Sequence, residues 1–123
     1  MSSVAKGSAR VGAAMSQCAD LGFRCARVSA SGQRKGFRRD ENCLAGDLLA
    51  IAPADSGYPH CIVEVGGVGK RLRAAFEELH VGGPLPAGFV AMVGRVVRRR
   101  WLWYSAPDER YTSLEELLDA LRR

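Results

Sequence analysis

A chain of 123 residues is long enough for one domain with a real core and too short for two. With 47% hydrophobic and 25% charged residues it is not a disordered chain, and apolar runs of strand length exclude a membrane-spanning helix. The formal net charge of +5 comes almost wholly from arginine, with lysine only at 6, 35 and 70. An arginine-rich surface suits bidentate phosphate contacts, which makes nucleic acid the leading class of partner; the alternative is a basic solvated surface with no ligand.

In chain order, residues 1–10 lack the apolar centre of a secretory signal, so the protein is expected in the cytoplasm (a host's, if phage-encoded) or on its DNA. Val4, Val11, Ala14, Met15 and Cys18 recur at helical spacing and predict a helix over 4–20, with Gly22 as a left-handed cap. Residues 23–29 alternate as a strand. The polar, basic stretch 30–45 is expected to be a mobile surface loop.

Short apolar runs bounded by turn residues predict strands at 46–52, 61–65 and 89–93. Between the last two, Leu72, Ala75, Phe76 and Leu79 mark an amphipathic helix over 68–80. Residues 98–105 read as a strand with a basic entrance. Residues 112–123 read as a helix, N-capped by Thr112 or Ser113, with Glu115 and Glu116 in its first turn. The order α-β-β-β-α-β-β-α predicts a single α/β domain, 1–123, with a mixed central sheet flanked by helices.

Cys18, Cys25, Cys43 and Cys61 are too scattered for a CxxC zinc site and too few for a disulfide scaffold. Cys18 and Cys61 fall in apolar patterns and read as reduced core residues. A zinc site using His60 or His80 is a minor alternative.

Glu64 stands inside an apolar strand, where burying a carboxylate costs several kcal/mol unless it is compensated. If Ala52 faces Cys61 in a hairpin, Glu64 lies opposite Leu49. Asp47 is then two residues along the same face, a diagonal separation of about 7–8 Å. Two such carboxylates repel unless a cation lies between them, and oxygen-only donors suit Mg²⁺ or Mn²⁺. The competing reading pairs Asp47 and Glu64 with nearby arginines in structural salt bridges.

Four segments carry a resemblance: Lys6-GSA-Ala9, Leu21-GFRCARVSASG-Gly32, Gly46-DLLAI-Ile51 and Ile62-VEV-Val65. In order and spacing they resemble the opening K-G segment, the GF…SG strand and loop, the P-D-I-I-A strand and the E-x-K strand of the archaeal-type Holliday-junction resolvases. These belong to the PD-(D/E)xK nuclease superfamily. The resemblance implies a restriction-endonuclease-like fold and a homodimeric, Mg²⁺-dependent endonuclease cleaving branched DNA, most simply four-way junctions. It assigns Asp47 and Glu64 as metal ligands, with the Val65 carbonyl as a third. Ser31 falls on a loop serine near the scissile phosphate. Lys6, Arg27, Gln33, Arg34, Lys35, Arg38 and Arg39 become DNA contacts.

Two positions depart from the family pattern. Its helix-one glutamate falls on Val11, which binds no metal, and its catalytic lysine falls on Gly66. Lys70, at the end of the flexible Gly66-GVG-Gly69 run, is a candidate to replace that lysine; the competing reading is a solvated lysine at a helix start. The glycine run lacks the spacing of a nucleotide-binding loop but is compatible with a cradle for a DNA phosphate. These departures support an alternative, a catalytically degenerate protein of the same fold that binds branched DNA without cutting it. Trp101, Trp103 and Tyr104 fit core or dimer packing better than base stacking.

Overall fold

The computed structural model describes residues 3–28, 46–66 and 71–122, with side chains of the first helix given from Ala9 onward. The chain opens with α1 (Ser3–Asp20), followed by strands β1 (Arg24–Arg27), β2 (Leu48–Ile51) and β3 (His60–Gly66). Helix α2 (Leu72–Leu79) leads to β4 (Phe89–Val97), β5 (Arg100–Ala106) and β6 (Glu109–Tyr111), and α3 (Leu114–Leu121) closes the described chain. Among the described residues no helix is long and apolar enough to cross a membrane.

The six strands form one open sheet whose spatial order equals their sequence order. Each neighbouring pair is antiparallel except β3–β4. Parallel neighbours cannot be joined by a tight turn, so α2 makes that crossover. Helix α1 buries Val11, Ala14 and Cys18 as one stripe and ends at Gly22, whose φ of +90° is the left-handed cap.

The sheet is covered on both faces, as its apolar strands require. Leu48, Cys61, Val63 and Trp103 pack with Ala14 and Cys18 of α1 and with Leu117 and Leu118 of α3. Ile62, Val93 and Tyr104 form the opposite layer with Ala75, Phe76 and Leu79 of α2. Ser113, not Thr112, caps α3: its side chain accepts the Glu116 N–H at 3.1 Å.

Three features correct the expected order. A further strand, β6, pairs with β5 through a register irregularity between Tyr104 and Ala106; its short, charged sequence shows no apolar alternation. Strand β4 runs on to Val97 rather than stopping at Val93. Gly94 is not a break but a clearance, since a Cβ there would come within 2.8 Å of the Trp103 ring. Finally, Arg98 and Arg99 are not strand residues. They form the turn of a tight hairpin in which Val97 pairs with Arg100.

Both turn arginines have positive φ, 51° and 67°. The left-handed region costs a residue with a Cβ roughly 1–2 kcal/mol, and such turns favour Asn-Gly. Arg98 and Arg99 are both exposed.

Trp103 is fully buried and its Nε1 donates to Gln17 Oε1 at 3.2 Å, while Trp101 stacks on it at 5.4 Å. This pair is core packing. Cys18, Cys25 and Cys61 are free thiols. Burial pushes the Cys18 thiol up to about 12 and raises Cys61 as well, so both stay protonated and unreactive. His60 Nδ1 accepts the Ala52 N–H at 2.9 Å, a structural role in the β2–β3 connection.

Candidate functional site

The β2–β3 ladder pairs Leu48 with Val63, Leu49 with Ile62 and Ala50 with Cys61. This is two residues away from the expected register, in which Ala52 faced Cys61 and Glu64 faced Leu49. A two-residue shift leaves every side chain on its original face. One step beyond the last pair stand Asp47, just before β2, and Glu64, within β3.

Local backbone fixes Asp47. Its N–H donates to the Val63 carbonyl at 2.8 Å, and its own carbonyl accepts the Val28 N–H at 3.1 Å, tying the start of β2 to both neighbouring strands. Gly46 permits this by adopting φ +104° in a space where a Cβ would lie 2.9 Å from Leu79 and 3.1 Å from the Val63 oxygen. The side chain is anchored too: Asp47 Oδ2 accepts the Val65 N–H at 2.9 Å.

Asp47 and Glu64 line one cavity of about 250 Å³ on the α2 face of the sheet, together with Val65, Gly66, Ala75, Val93 and Arg95. Its lining includes the last three residues of β3, Glu64 to Gly66, beside the parallel strand β4. Glu64 Oε2 is buried and accepts no hydrogen bond, although the residue is engaged through another interaction.

Arg95 is the site residue that sequence reading missed. In the parallel ladder it is the direct partner of Gly66, at which a Cβ would meet nothing within 4 Å. A basic residue of β4 thus lines the same cavity as the two acidic residues, beside a position with open space and no side chain.

The remaining expectations divide by place. Arg27 is exposed and pairs with Leu48, so it shares the α1 face of the sheet rather than the face with the cavity; its Nη2 lies 3.3 Å from where a Cβ on Gly12 would be. Val11 is a core residue of α1. Ser31, Gln33, Arg34, Lys35, Arg38 and Arg39, with the whole expected loop 30–45, lie outside the described residues, as do Lys70 and the side chain of Lys6.

The cavity lining carries, among the described residues, two acidic residues and one basic residue. Among the described residues no group of three or more His, Cys, Asp or Glu side chains is placed to hold a metal ion. Two carboxylates suffice for Mg²⁺, which retains waters and takes remaining ligands from substrate phosphates. No protein-family model and no curated protein matches the chain.

The hydrogen bond from Val65 gives Asp47 a structural function besides any ligand role. Asp47→Ala removes that acceptor and is expected to cost about 1–3 kcal/mol, read as a lower urea midpoint at constant slope. Asp47→Asn, which retains an acceptor oxygen, should cost less. An Ala variant as stable as wild type would contradict the anchoring.

Proposed function

We propose that the protein is a divalent-metal-dependent endonuclease acting on branched DNA, with a restriction-endonuclease-like core. The observation that carries this reading is the convergence of Asp47 and Glu64, from adjoining strands, on one small cavity that also receives Arg95. The α-β-β-β-α-β order with β3 parallel to β4 agrees with the fold implied by the resolvase resemblance.

Each side chain has a definable task. Asp47 is held through Oδ2 by the Val65 N–H, which leaves Oδ1 to face a cation. Glu64 supplies the second carboxylate, and the Val65 carbonyl is a candidate third donor. When bound, Mg²⁺ or Mn²⁺ neutralises phosphate charge and acidifies water at neutral pH. Arg95 offers a fixed positive charge against the negative charge that develops on a phosphodiester. It takes over the task that the E-x-K lysine has in the resembling family, whose position is Gly66 here. Ser31 and the basic residues at 33–39 are assigned to phosphate contacts flanking the cut. Paired cuts across a junction call for a two-fold dimer.

One observation favours a second reading. The position of the family's helix-one glutamate is Val11, which is buried in the core, so among the described residues that acidic ligand has no counterpart. A protein that holds branched DNA without cutting it accounts for this as well. Binding to a synthetic four-way junction with no cleavage in either Mg²⁺ or Mn²⁺ would select it.

In the nuclease reading, wild type cuts that junction in Mg²⁺, and Glu64→Gln lowers the rate by at least about 100-fold, since even outer-shell changes cost about 10–100-fold in affinity or activity. Cleavage unaffected by the substitution would remove the assigned site. Arg95→Ala should slow cutting on the order of 100-fold, with partial recovery in Arg95→Lys. Full activity in Arg95→Ala would show that its charge is not used.

A further inference from the structure

We infer that the β4–β5 hairpin is a phosphate-contacting surface that grips the nucleic-acid backbone beside the carboxylate cavity. The inference rests on the nucleic-acid part of the proposed function and not on catalysis.

The first observation is conformational. Arg98 and Arg99 occupy both central positions of a tight turn with φ of 51° and 67°, and both are exposed. Neither side chain is held there by burial, and Asn-Gly would form the same turn with less strain. Strain of this kind is retained where the side chains serve a purpose other than folding.

The second observation is positional. Pairing of Arg95 with Leu102 and of Val97 with Arg100 puts Arg95 and Arg100 on the same face of the hairpin, as diagonal neighbours. Arg95 lines the cavity with Asp47 and Glu64. Positive charge therefore continues from the cavity, along one face of the hairpin, to its exposed tip.

The third observation is charge balance. No Asp or Glu occurs between Ala91 and Ser105, so the hairpin carries four arginines and no acid of its own. A run of guanidiniums at successive positions matches a polyanion with regularly repeated charge better than a single anionic group. Continuity with a cavity proposed to act on a phosphodiester selects nucleic acid over an acidic peptide or an anionic membrane.

Phosphate contacts of this type give affinity without sequence preference, and each one lost lowers the salt dependence of binding by about one unit of slope. The test uses the full-length protein, a fluorescent DNA duplex and a four-way junction, with binding measured by anisotropy in EDTA over a series of salt concentrations. The double variant R98N/R99G should bind at least several-fold more weakly at low salt, with its log–log salt slope reduced by about 2. It should also melt higher, by on the order of 4 °C, because the turn strain is relieved. The variant R98K/R99K, which keeps the charges, should retain most of the slope.

Unchanged affinity and slope in a folded R98N/R99G overturns the inference. So does wild-type protein that binds anionic vesicles or a polyglutamate peptide but not DNA. Because metal is absent, the outcome is independent of the catalytic reading. Unaltered binding by R98N/R99G, with junction cleavage by wild type intact, removes the hairpin surface alone. Hairpin-dependent binding by a protein that never cuts keeps the surface and removes the nuclease.

Discussion

The bond from the Val65 N–H to Asp47 Oδ2, 2.9 Å long, joins the ends of two strands just where their ladder stops. Beyond Leu48 and Val63 the regular pairing is replaced by contacts that use Asp47 both as backbone and as side chain. Gly46 makes room for this with a left-handed backbone against Val63 and Leu79. Without that junction, Asp47 would be a loop residue and Glu64 a solitary acid in an apolar strand. With it, two carboxylates are fixed on rigid elements, which is how a site attains reproducible geometry.

Like charges held this close to an apolar layer carry an electrostatic cost unless positive charge is supplied. Arg95 of β4 lines the same cavity, and in the proposed function a divalent cation would be held between the carboxylates. The same guanidinium begins the basic series that leads to the hairpin tip. In the proposed function, acid at the centre and arginine around it would bring a phosphodiester to a metal, the periphery supplying affinity and the middle chemistry.

Much of this was legible in the residues. Apolar periodicity located every helix and the three central strands, because those elements bury continuous faces. Glu64 declared itself by interrupting such a run, and Asp47 by its place at the start of another. Arg95 carries the same signature, a charge within the apolar run from Phe89 to Val97. It was hidden because Gly94 reads locally as a strand terminator, whereas its role is to admit the Trp103 ring from β5, a contact that sequence does not display. The turn at Arg98–Arg99 was obscured for a related reason: it contains neither glycine nor asparagine, so local turn rules point away from it. The hairpin register was misjudged by two residues, yet parity preserved the face, which is the property on which the site depends.

Asp47 and Glu64 line one cavity, and the proposal that they share a cation there is separable from DNA binding and from turnover. Titration of the protein with Mn²⁺, followed by the loss of the free-ion electron paramagnetic resonance signal, reads it directly. Wild type should take up a single Mn²⁺ per chain that Mg²⁺ displaces, and both Asp47→Asn and Glu64→Gln should abolish that uptake while remaining folded. Equal Mn²⁺ uptake by wild type and Glu64→Gln would contradict a shared metal site.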